Sequence, residues 1–125
     1  MSGVVLVADD DDDILLLVTT RLKRDGFEVV SARDGFEALA LAQEHKPAVA
    51  VLDVGMPGLD GLEVLEAIRE TQALAHTRVL LLTAKAQESD VRRGYDAGAD
   101  AYVKKPFSPA ELAERVRSLY DPGVL

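Results

Sequence analysis

The stretch VLVADDDDDIL, residues 5–15, places five consecutive aspartates directly after a short apolar run. The apolar part has the length and β-branched content of a buried strand, as found in parallel sheets that are covered on both faces. Five neighbouring carboxylates repel one another, so they need either a bound cation or screening by water. The stretch therefore predicts a core strand that ends at a cation site or at a solvated acidic loop.

Similar apolar runs recur along the chain, separated by amphipathic segments of helical length. They are VVLVA (4–8), FEVVSA (27–32), AVAVLD (48–53), RVLLLT (78–83) and AYV (101–103). Strand and helix thus alternate five times with short connections, a pattern that favours a doubly wound sheet with right-handed crossovers. We predict one α/β domain over residues 1–121, followed by a short tail over 122–125.

Four of the helical segments carry an apolar stripe that we expect to face the sheet. The stripes are Ile14, Leu17, Val18 and Leu22; Phe36, Leu39 and Ala42; Leu62, Leu65 and Ile68; and Leu112, Val116 and Leu119. The segment over 87–97 is the weak one, because Gly94 costs about 1 kcal/mol against alanine in a helix interior. There we expect only Val91 and Tyr95 to anchor the helix.

Three helix starts carry the spacing of a capping box, in which an N-cap side chain and an acidic residue three positions later bond each other's backbone. They are Asp34 with Glu37, Asp60 with Glu63, and Ser108 with Glu111. The last start has Pro109 at its first helical position, where proline is favoured. These pairs predict where the second, third and fifth helices begin.

The composition limits the classes of function. The 125 residues suffice for one domain with its own core, and the absence of cysteine excludes disulfides and thiolate metal sites. No apolar run approaches the roughly 18 residues of a membrane span, and no signal-peptide pattern precedes the first strand. The net charge of −8 owes five charges to residues 9–13, so the acidity is local and direct nucleic-acid binding is disfavoured. We expect a cytoplasmic protein without membrane contact.

Polar side chains lie at the ends of four of the predicted strands. Asp9 and Asp10 follow the first strand, Asp53 ends the third, Thr83 ends the fourth and Lys105 follows the fifth. Because ligands of doubly wound sheets bind beyond the carboxyl ends of the strands, we expect these groups to converge. Three carboxylates are the ligands of a hard divalent cation, magnesium before calcium.

A hydroxyl and an ammonium beside such an ion suit phosphoryl transfer, in which catalysis is mostly positioning and charge neutralisation. Asp53 is the best candidate for a nucleophile that becomes an acyl phosphate. It ends its strand alone and is followed by the glycine-rich VGMPGLDG (54–61), which leaves backbone groups free to approach a ligand. Asp11, Asp12 and Asp13 are interpreted as charges at a helix N-terminus, where the macrodipole favours them.

Four motifs occur in an order and spacing that are specific when taken together: LVADD (6–10), VLDVGMPGLDG (51–61), LLTA (81–84) and AGADAYVKKPF (97–107). On these motifs the chain resembles the receiver domain of response regulators in two-component signalling, over essentially all of its length to about Tyr120. The resemblance implies a single flavodoxin-like (βα)5 domain with five parallel strands in the order 2-1-3-4-5. It also implies a signalling switch that promotes its own phosphorylation and dephosphorylation and is not an independent enzyme.

The resemblance implies a role for each residue at the strand ends. Asp53 is implied to be the phosphoacceptor, with Thr83 and Lys105 binding the phosphoryl oxygens. The implied magnesium ligands are Asp9 (through water), Asp10, Asp53 and the backbone carbonyl of Gly55. The implied partners are a sensor histidine kinase or phosphotransfer protein, a downstream effector protein or domain, and a second copy of the domain after phosphorylation.

Tyr102 matches the switch aromatic of the family, which turns inward as the hydroxyl residue, here Thr83, moves toward the phosphate. Phosphorylation adds negative charge, and we expect it to bias the face formed by the fourth helix, the fifth strand and the fifth helix. By the same resemblance the Lys105–Pro106 peptide bond is implied to be cis, a form that is accessible to X–Pro bonds.

Three positions depart from the family pattern. Asp12 stands where proline is common, Gly55 lacks the side chain usually found there, and Lys85 follows Thr83 by two residues. In the family the last two positions tune how long the phosphoryl group survives, so the lifetime is left open. The acid pair, the acceptor, the hydroxyl and the lysine are all intact, which disfavours a receiver that is not phosphorylated.

Two other functions remain as alternatives. One is a phosphatase of the haloacid-dehalogenase type, in which Asp9 and Asp11 form the D-x-D motif, although only Glu111 and Glu114 are available for its later acidic motif. The other is an interaction module that binds partners without phosphorylation. Absence of magnesium binding and of any change with beryllofluoride is the outcome that favours this module.

Two simpler metal-site interpretations are less favoured. A calcium loop in the aspartate run fails because Ile14 stands where glycine is required and Thr20 where glutamate is required. His45 and His76 lie in polar connections without a ligand pattern, so both are interpreted as surface residues.

Overall fold

The structure, a computed structural model, describes residues 3–84 and 87–120. Five parallel strands form one sheet in the spatial order β2-β1-β3-β4-β5. They are β1 (Val4–Ala8), β2 (Glu28–Ala32), β3 (Val49–Asp53), β4 (Arg78–Thr83) and β5 (Ala101–Lys104). The strand order and the doubly wound architecture confirm the predicted fold.

Four helices connect the strands, a fifth follows the last strand, and together they cover both faces of the sheet. They are α1 (Asp12–Arg24), α2 (Gly35–His45), α3 (Gly61–Glu70), α4 (Glu88–Asp96) and α5 (Pro109–Tyr120), with a short 3-10 turn over Gln72–Leu74. Helices α1 and α5 pack on one face, whereas α2 and α3 pack on the other. Leu6 and Leu52 point to the α2–α3 face, while Val5 and Val51 point to the α1–α5 face. The central strands are therefore buried on both sides, which explains their uninterrupted apolar sequence.

Two residues of the predicted apolar stripes lie outside the core. Leu17 is 48% exposed and Phe36 is 64% exposed, so the prediction that they face the sheet was wrong. Helix α1 buries Leu15 in place of Leu17, together with the predicted Val18. The helix is therefore rotated about its axis by part of a turn relative to the predicted orientation. Phe36 lies over Gly58, close enough that a Cβ on that glycine would sit 2.8 Å from the aromatic ring.

Helix α4 also differs from the prediction. Tyr95 was expected to anchor it but is 45% exposed, with its ring 6.4 Å from the ring of Tyr102. The buried residue of α4 is Gly94, and Val91 is half-buried. Gly94, which the sequence marks only as a cost to the helix, is therefore the contact of α4 with the sheet.

Each predicted N-cap accepts the expected hydrogen bond, but among the described residues only the box at α3 has the predicted return bond. Asp60 and Glu63 form a complete capping box at the start of α3. Asp34 accepts a hydrogen bond from the N–H of Glu37 at 2.8 Å, but the Glu37 carboxylate accepts from the N–H of Arg33. In the second box, the return hydrogen bond therefore comes from the residue before the N-cap, Arg33, and not from the N-cap Asp34.

Two further caps position the helices that flank the strand ends. Asp11 is the N-cap of α1 and accepts hydrogen bonds from the N–H groups of Asp13 and Ile14 at 2.9 and 3.2 Å. At the start of α5, the hydroxyl of Ser108 accepts from the N–H of Glu111 at 3.2 Å. The interpretation of the later aspartates of the run as charges at a helix N-terminus is confirmed.

An arginine ties three segments together at the amino end of the sheet. Arg69 in α3 donates to the carboxylate of Asp100 at 2.9 Å, to the carbonyl of Thr77 at 2.7 Å and to the carbonyl of Gly98 at 3.0 Å. The same carboxylate accepts from the N–H of Val79 at 2.8 Å. These bonds attach the loop before β5 to α3 and to the start of β4.

The tail over 122–125, Lys85 and residue 121 lie outside the described residues. Within the described part of the chain, none of the helices has both the length and the apolar content for crossing a bilayer.

Candidate functional site

The strand order brings the polar strand-end residues to one edge of the sheet. Asp9 directly follows β1, Asp53 is the last residue of β3 and Thr83 is the last residue of β4, and all three are buried. Lys105 directly follows β5, and its backbone N–H donates to the carbonyl of Thr83 at 2.8 Å. Asp10 is exposed at the rim. The structure thus gathers every residue that the sequence placed at a strand end.

One ammonium group bridges two carboxylates at the centre of this edge. Lys105 Nζ lies 3.0 Å from Oδ2 of Asp9 and 3.2 Å from Oδ1 of Asp53. The other Asp9 oxygen accepts from the N–H of Asp11 at 2.9 Å, and Oδ1 of Asp53 accepts from the N–H of Gly55 at 3.3 Å. Both carboxylates are therefore held in fixed orientations.

The carboxylates fit a hard divalent cation. Asp9, Asp10 and Asp53 each offer an oxygen, and these three atoms lie within 4.8 Å of one another. Oδ2 of Asp9 is fully buried, and the group that faces it is the ammonium of Lys105 at 3.0 Å. One ammonium offsets only part of the charge of three clustered carboxylates, and oxygen ligands of this kind suit a hard divalent cation. The carbonyl of Gly55 as a fourth ligand stays a prediction.

The pKa values of Asp53 and Lys105 are shifted because buried carboxylates lie close together at this edge of the sheet. Burial raises the pKa of Asp53, and the charge of Asp9 raises it further, while Lys105 and the N–H of Gly55 oppose the change. For Lys105, burial acts to lower the pKa, but the hydrogen bond and charge of Asp9 and the charge of Asp53 outweigh it and raise the pKa. Lys105 is therefore a cation at neutral pH.

Thr83 and Tyr102 are coupled directly. The side chain of Tyr102 is hydrogen-bonded to that of Thr83, the last residue of the neighbouring strand β4. Burial raises the pKa of Tyr102, and the nearby charge of Asp90 on α4 adds to this rise, while Thr83 and Arg93 oppose it. A cavity of about 140 Å³ adjoins this pair, with Asp90 and Arg93 in its wall.

An open cleft of about 520 Å³ lies beside the reactive edge. Its lining includes Asp53, Met56, Asp60, Thr83 and Lys105. A Cβ on Gly55 would lie 3.9 Å from the nearest Asp53 oxygen, so the glycine leaves this side of the carboxylate open. The Lys105–Pro106 bond is cis, as the resemblance implied.

Sequence reasoning missed two residues that line the cleft. Asp60 was interpreted only as a helix cap, and Met56 was not singled out, yet both face the space beside Asp53. The signal for both was their place in the glycine-rich loop after β3. Asp11 was a candidate acid of a D-x-D phosphatase motif, but its carboxylate caps α1, so the geometry disfavours that alternative.

The fold and the site define a class: a flavodoxin-like α/β domain that presents an acidic cluster and a lysine at the carboxyl edge of its sheet. The sequence model of the response regulator receiver domain matches residues 5–117. The chain belongs to this family, whose members are signalling switches of two-component response regulators.

Curated relatives and solved structures agree with this assignment. The chain is 43% identical over 119 residues to the alkaline phosphatase synthesis transcriptional regulatory protein PhoP of Bacillus subtilis, covering 95% of this chain and 49% of that protein. It is 40% identical to the transcriptional regulatory protein SrrA of Staphylococcus aureus, covering 95% and 48%. The chain thus spans about half the length of these curated relatives.

Among solved structures, the chemotaxis protein CheY4 of Vibrio cholerae superposes with a TM-score of 0.89 at 34% identity, covering 95% of this chain and 99% of that one. The BeF3-activated DrrB receiver domain superposes with a TM-score of 0.86 at 36% identity, covering 97% and 99%. Both solved chains are thus matched over nearly their full length.

Proposed function

We propose that this domain is a phosphorylation-activated switch of a two-component phosphorelay and that Asp53 accepts the phosphoryl group in a magnesium-dependent reaction. The observation that carries the proposal is the position of Lys105 Nζ, 3.2 Å from Oδ1 of Asp53 and 3.0 Å from Oδ2 of Asp9. A fixed cation beside a fixed carboxylate is what phosphoryl transfer requires, since its transition state is stabilised mostly by positioning and by opposite charge.

In the forward reaction a carboxylate oxygen of Asp53 attacks the phosphorus of a phosphohistidine or a small phosphodonor. The bond from phosphorus to the donor atom breaks, its electron pair stays with the donor, and an acyl phosphate forms on Asp53. Asp9 (through water), Asp10, Asp53 and the Gly55 carbonyl would hold magnesium, which would supply positive charge to the phosphoryl oxygens. Lys105 provides a second cation there, and the hydroxyl of Thr83 donates a hydrogen bond.

The added charge then acts on the rest of the domain. It draws Thr83 toward the phosphoryl group, and Tyr102 follows because the two side chains are hydrogen-bonded. The face formed by α4, β5 and α5 changes its affinity for an effector or for a second copy of the domain. A shift from mostly inactive to mostly active needs about 5.5 kcal/mol of differential binding, shared among phosphate, metal and partner.

The open side of the cleft bears on dephosphorylation. Because Gly55 carries no side chain, nothing at that position separates the Asp53 carboxylate from solvent. We infer that water reaches the acyl phosphate there and that the domain promotes loss of its own phosphoryl group. Lys85, the second position of interest, lies outside the described residues.

The partners follow from this chemistry. The donor is a sensor histidine kinase or a phosphotransfer protein, and the receiver of the signal is a downstream effector protein or domain. We assign the receiver to residues 1–121 and expect it to act in the cytoplasm, where such donors present phosphohistidine. The related PhoP and SrrA are named as transcriptional regulators, which makes a transcription-regulating effector the first to test.

Phosphotransfer tests the proposal. The protein is incubated with magnesium and radiolabelled acetyl phosphate, and acid-stable, base-labile label is counted. Asp53→Asn is expected to abolish labelling. The control is Asp60→Asn, which changes another aspartate of the same cleft and keeps an N-cap side chain for α3.

Labelling of the Asp53→Asn protein at the level of the unchanged protein would overturn the assignment of the acceptor. Absence of label in every protein, together with no spectral change on adding magnesium and beryllofluoride, would instead identify an interaction module that works without phosphorylation.

A further inference from the structure

Helix α4 packs against the sheet through a glycine, Gly94, which has no side chain. Gly94 is the buried residue of this helix, whereas its neighbours Arg93 and Tyr95 are exposed. A Cβ built on Gly94 would lie 3.0 Å from Cδ1 of Leu81 and 3.1 Å from Cδ2 and Cε2 of Tyr102. Carbon atoms pack favourably at about 3.5–4.0 Å, so with alanine here one of these neighbours must move by a few tenths of an ångström.

The two neighbours differ in their room to move. Leu81 lies in the middle of β4 with no exposed surface, in a core that packs as densely as a crystal. Tyr102 lies on β5, an edge strand of the sheet, and is only half-buried, with a cavity of about 140 Å³ beside it. The tyrosine ring is therefore the group that gives way.

Resting on the switching role assigned to Tyr102 above, we propose that Gly94 is a positioning residue for the switch. Its missing side chain admits the Tyr102 ring between α4 and β4, where the phenol reaches Thr83. The glycine thus sets the fraction of molecules in which the Tyr102 ring is turned inward. Through this ring, the position of α4 affects the phosphorylation site directly.

The proposal has a thermodynamic consequence. Coupling between two sites is reciprocal. If phosphoryl binding favours the inward tyrosine by a given factor, a substitution that turns the ring outward weakens phosphoryl binding by up to that factor. Gly94→Ala is therefore expected to lower the affinity for a phosphoryl mimic by about fivefold or more, the lower end of typical coupling. The Asp53 carboxylate itself is untouched.

The experiment is a titration with beryllofluoride in the presence of magnesium, followed by amide and aromatic NMR signals. Nuclear Overhauser contacts between the Tyr102 ring and the Leu81 methyl groups report the ring position before any ligand is added. The matched control is Ser89→Ala, an exposed position on the same helix where alanine also raises helix propensity but adds nothing near the ring.

Gly94→Ala is expected to lose the ring contacts and to bind beryllofluoride at least about fivefold more weakly, while Ser89→Ala binds as the unchanged protein does. In a Tyr102→Ala background, Gly94→Ala is expected to have no further effect, because the ring it displaces is gone. An equal loss of affinity in both backgrounds, or unchanged ring contacts in Gly94→Ala, would overturn the positioning role.

The two proposals fail in distinguishable ways. If the unchanged protein binds no beryllofluoride, then the phosphorylation switch is wrong, and the ring contacts alone decide whether Gly94 positions Tyr102. If the unchanged protein binds beryllofluoride and Gly94→Ala binds it equally well, then the switch stands and the role of Gly94 is wrong. Thermal unfolding of each variant separates these outcomes from loss of the fold.

Discussion

The ammonium nitrogen of Lys105 lies 3.2 Å from Oδ1 of Asp53, although β4 separates the strands from which the two residues extend. The lysine side chain therefore reaches across the end of the intervening strand. It meets two buried carboxylates there and supplies one positive charge against three nearby negative ones. This imbalance leaves the site acidic and open to a further cation.

Replacement of this lysine should destabilise the metal-free protein. Lys105→Met leaves the buried carboxylates of Asp9 and Asp53 without their cation, which we expect to lower the free energy of unfolding by about 3 kcal/mol. Added magnesium should recover part of the loss, because it binds only the folded acidic cluster. Urea denaturation with and without magnesium measures both effects.

The neighbouring Lys104 provides the control for this measurement, since it is exposed at the end of β5. Lys104→Met should change the free energy of unfolding by less than about 0.5 kcal/mol. Equal stabilities of the two lysine variants without magnesium would contradict the role assigned to the Lys105 ion pairs.

Neutralising the acceptor should stabilise the metal-free fold. The pKa of Asp53 is raised by burial and by Asp9, so folding favours the protonated form. Stability from this group is present below the unfolded pKa and is lost as pH rises through the folded pKa. At neutral pH the ionised Asp53 is therefore a cost that Asp53→Asn removes. A gain on the order of 1 kcal/mol would raise Tm by about 4 °C.

Scanning calorimetry over a pH series is the measurement. The advantage of Asp53→Asn should shrink as pH falls through the folded pKa, because the aspartate then becomes neutral as well. A lower Tm for Asp53→Asn at neutral pH without metal would show that the carboxylate is not penalised in the folded state.

Magnesium binding should depend on pH through the same carboxylate. Protons and the metal compete for Asp53, and its raised pKa moves this competition to a higher pH than for an ordinary aspartate. We expect the affinity for magnesium to begin falling at a higher pH than it would if Asp53 had the ordinary pKa of an aspartate. Calorimetric titrations at several pH values measure it, and Asp53→Asn should bind more weakly with a smaller pH dependence. An affinity independent of pH over the range would contradict this.

The arginine at the opposite end of the sheet should matter for stability and not for signalling chemistry. Arg69→Met removes donors from two backbone carbonyls and from Asp100, which we expect to lower the free energy of unfolding by about 2 kcal/mol. Arg78 also approaches Asp100, but at 3.5 Å and half-exposed, so Arg78→Met should cost less than about 1 kcal/mol.

Chemical denaturation of both arginine variants, with acetyl phosphate labelling of each, tests this assignment. Labelling of Asp53 should be unchanged in both, because the arginines lie at the far edge of the sheet. Equal destabilisation by the two substitutions would show that the buried carbonyl contacts of Arg69 contribute little.

Much of the site could be predicted because strand ends in a parallel sheet share an edge. Once the apolar runs were identified as strands, Asp9, Asp53, Thr83 and Lys105 were expected to converge, and the structure places them together. The cap positions were predictable for a similar reason, since an N-cap bond joins residues only two or three positions apart.

The errors fall where a local pattern permits two arrangements. In α1 the sequence LLLV (15–18) offers apolar residues on more than one face, so the pattern alone did not exclude Leu17 from the core. In α2 the small residues Ala38 and Ala42 face the sheet, and Phe36 remains outside over Gly58. Phe36 was predicted to lie in the core because the sequence reveals its hydrophobicity. The sequence does not reveal that the space between the helix and the sheet admits only small side chains.

The amino-acid sequence by itself determined the alternation of strands and helices, the caps and the order in which acidic, hydroxyl and ammonium groups reach one edge. These features depend on periodicity and on neighbours along the chain. Only the tertiary structure decided that Lys105 spans β4 to reach Asp53 and that Gly94 meets the ring of Tyr102. Such contacts join distant segments, and differences of a few tenths of an ångström between assembled elements decide whether they form.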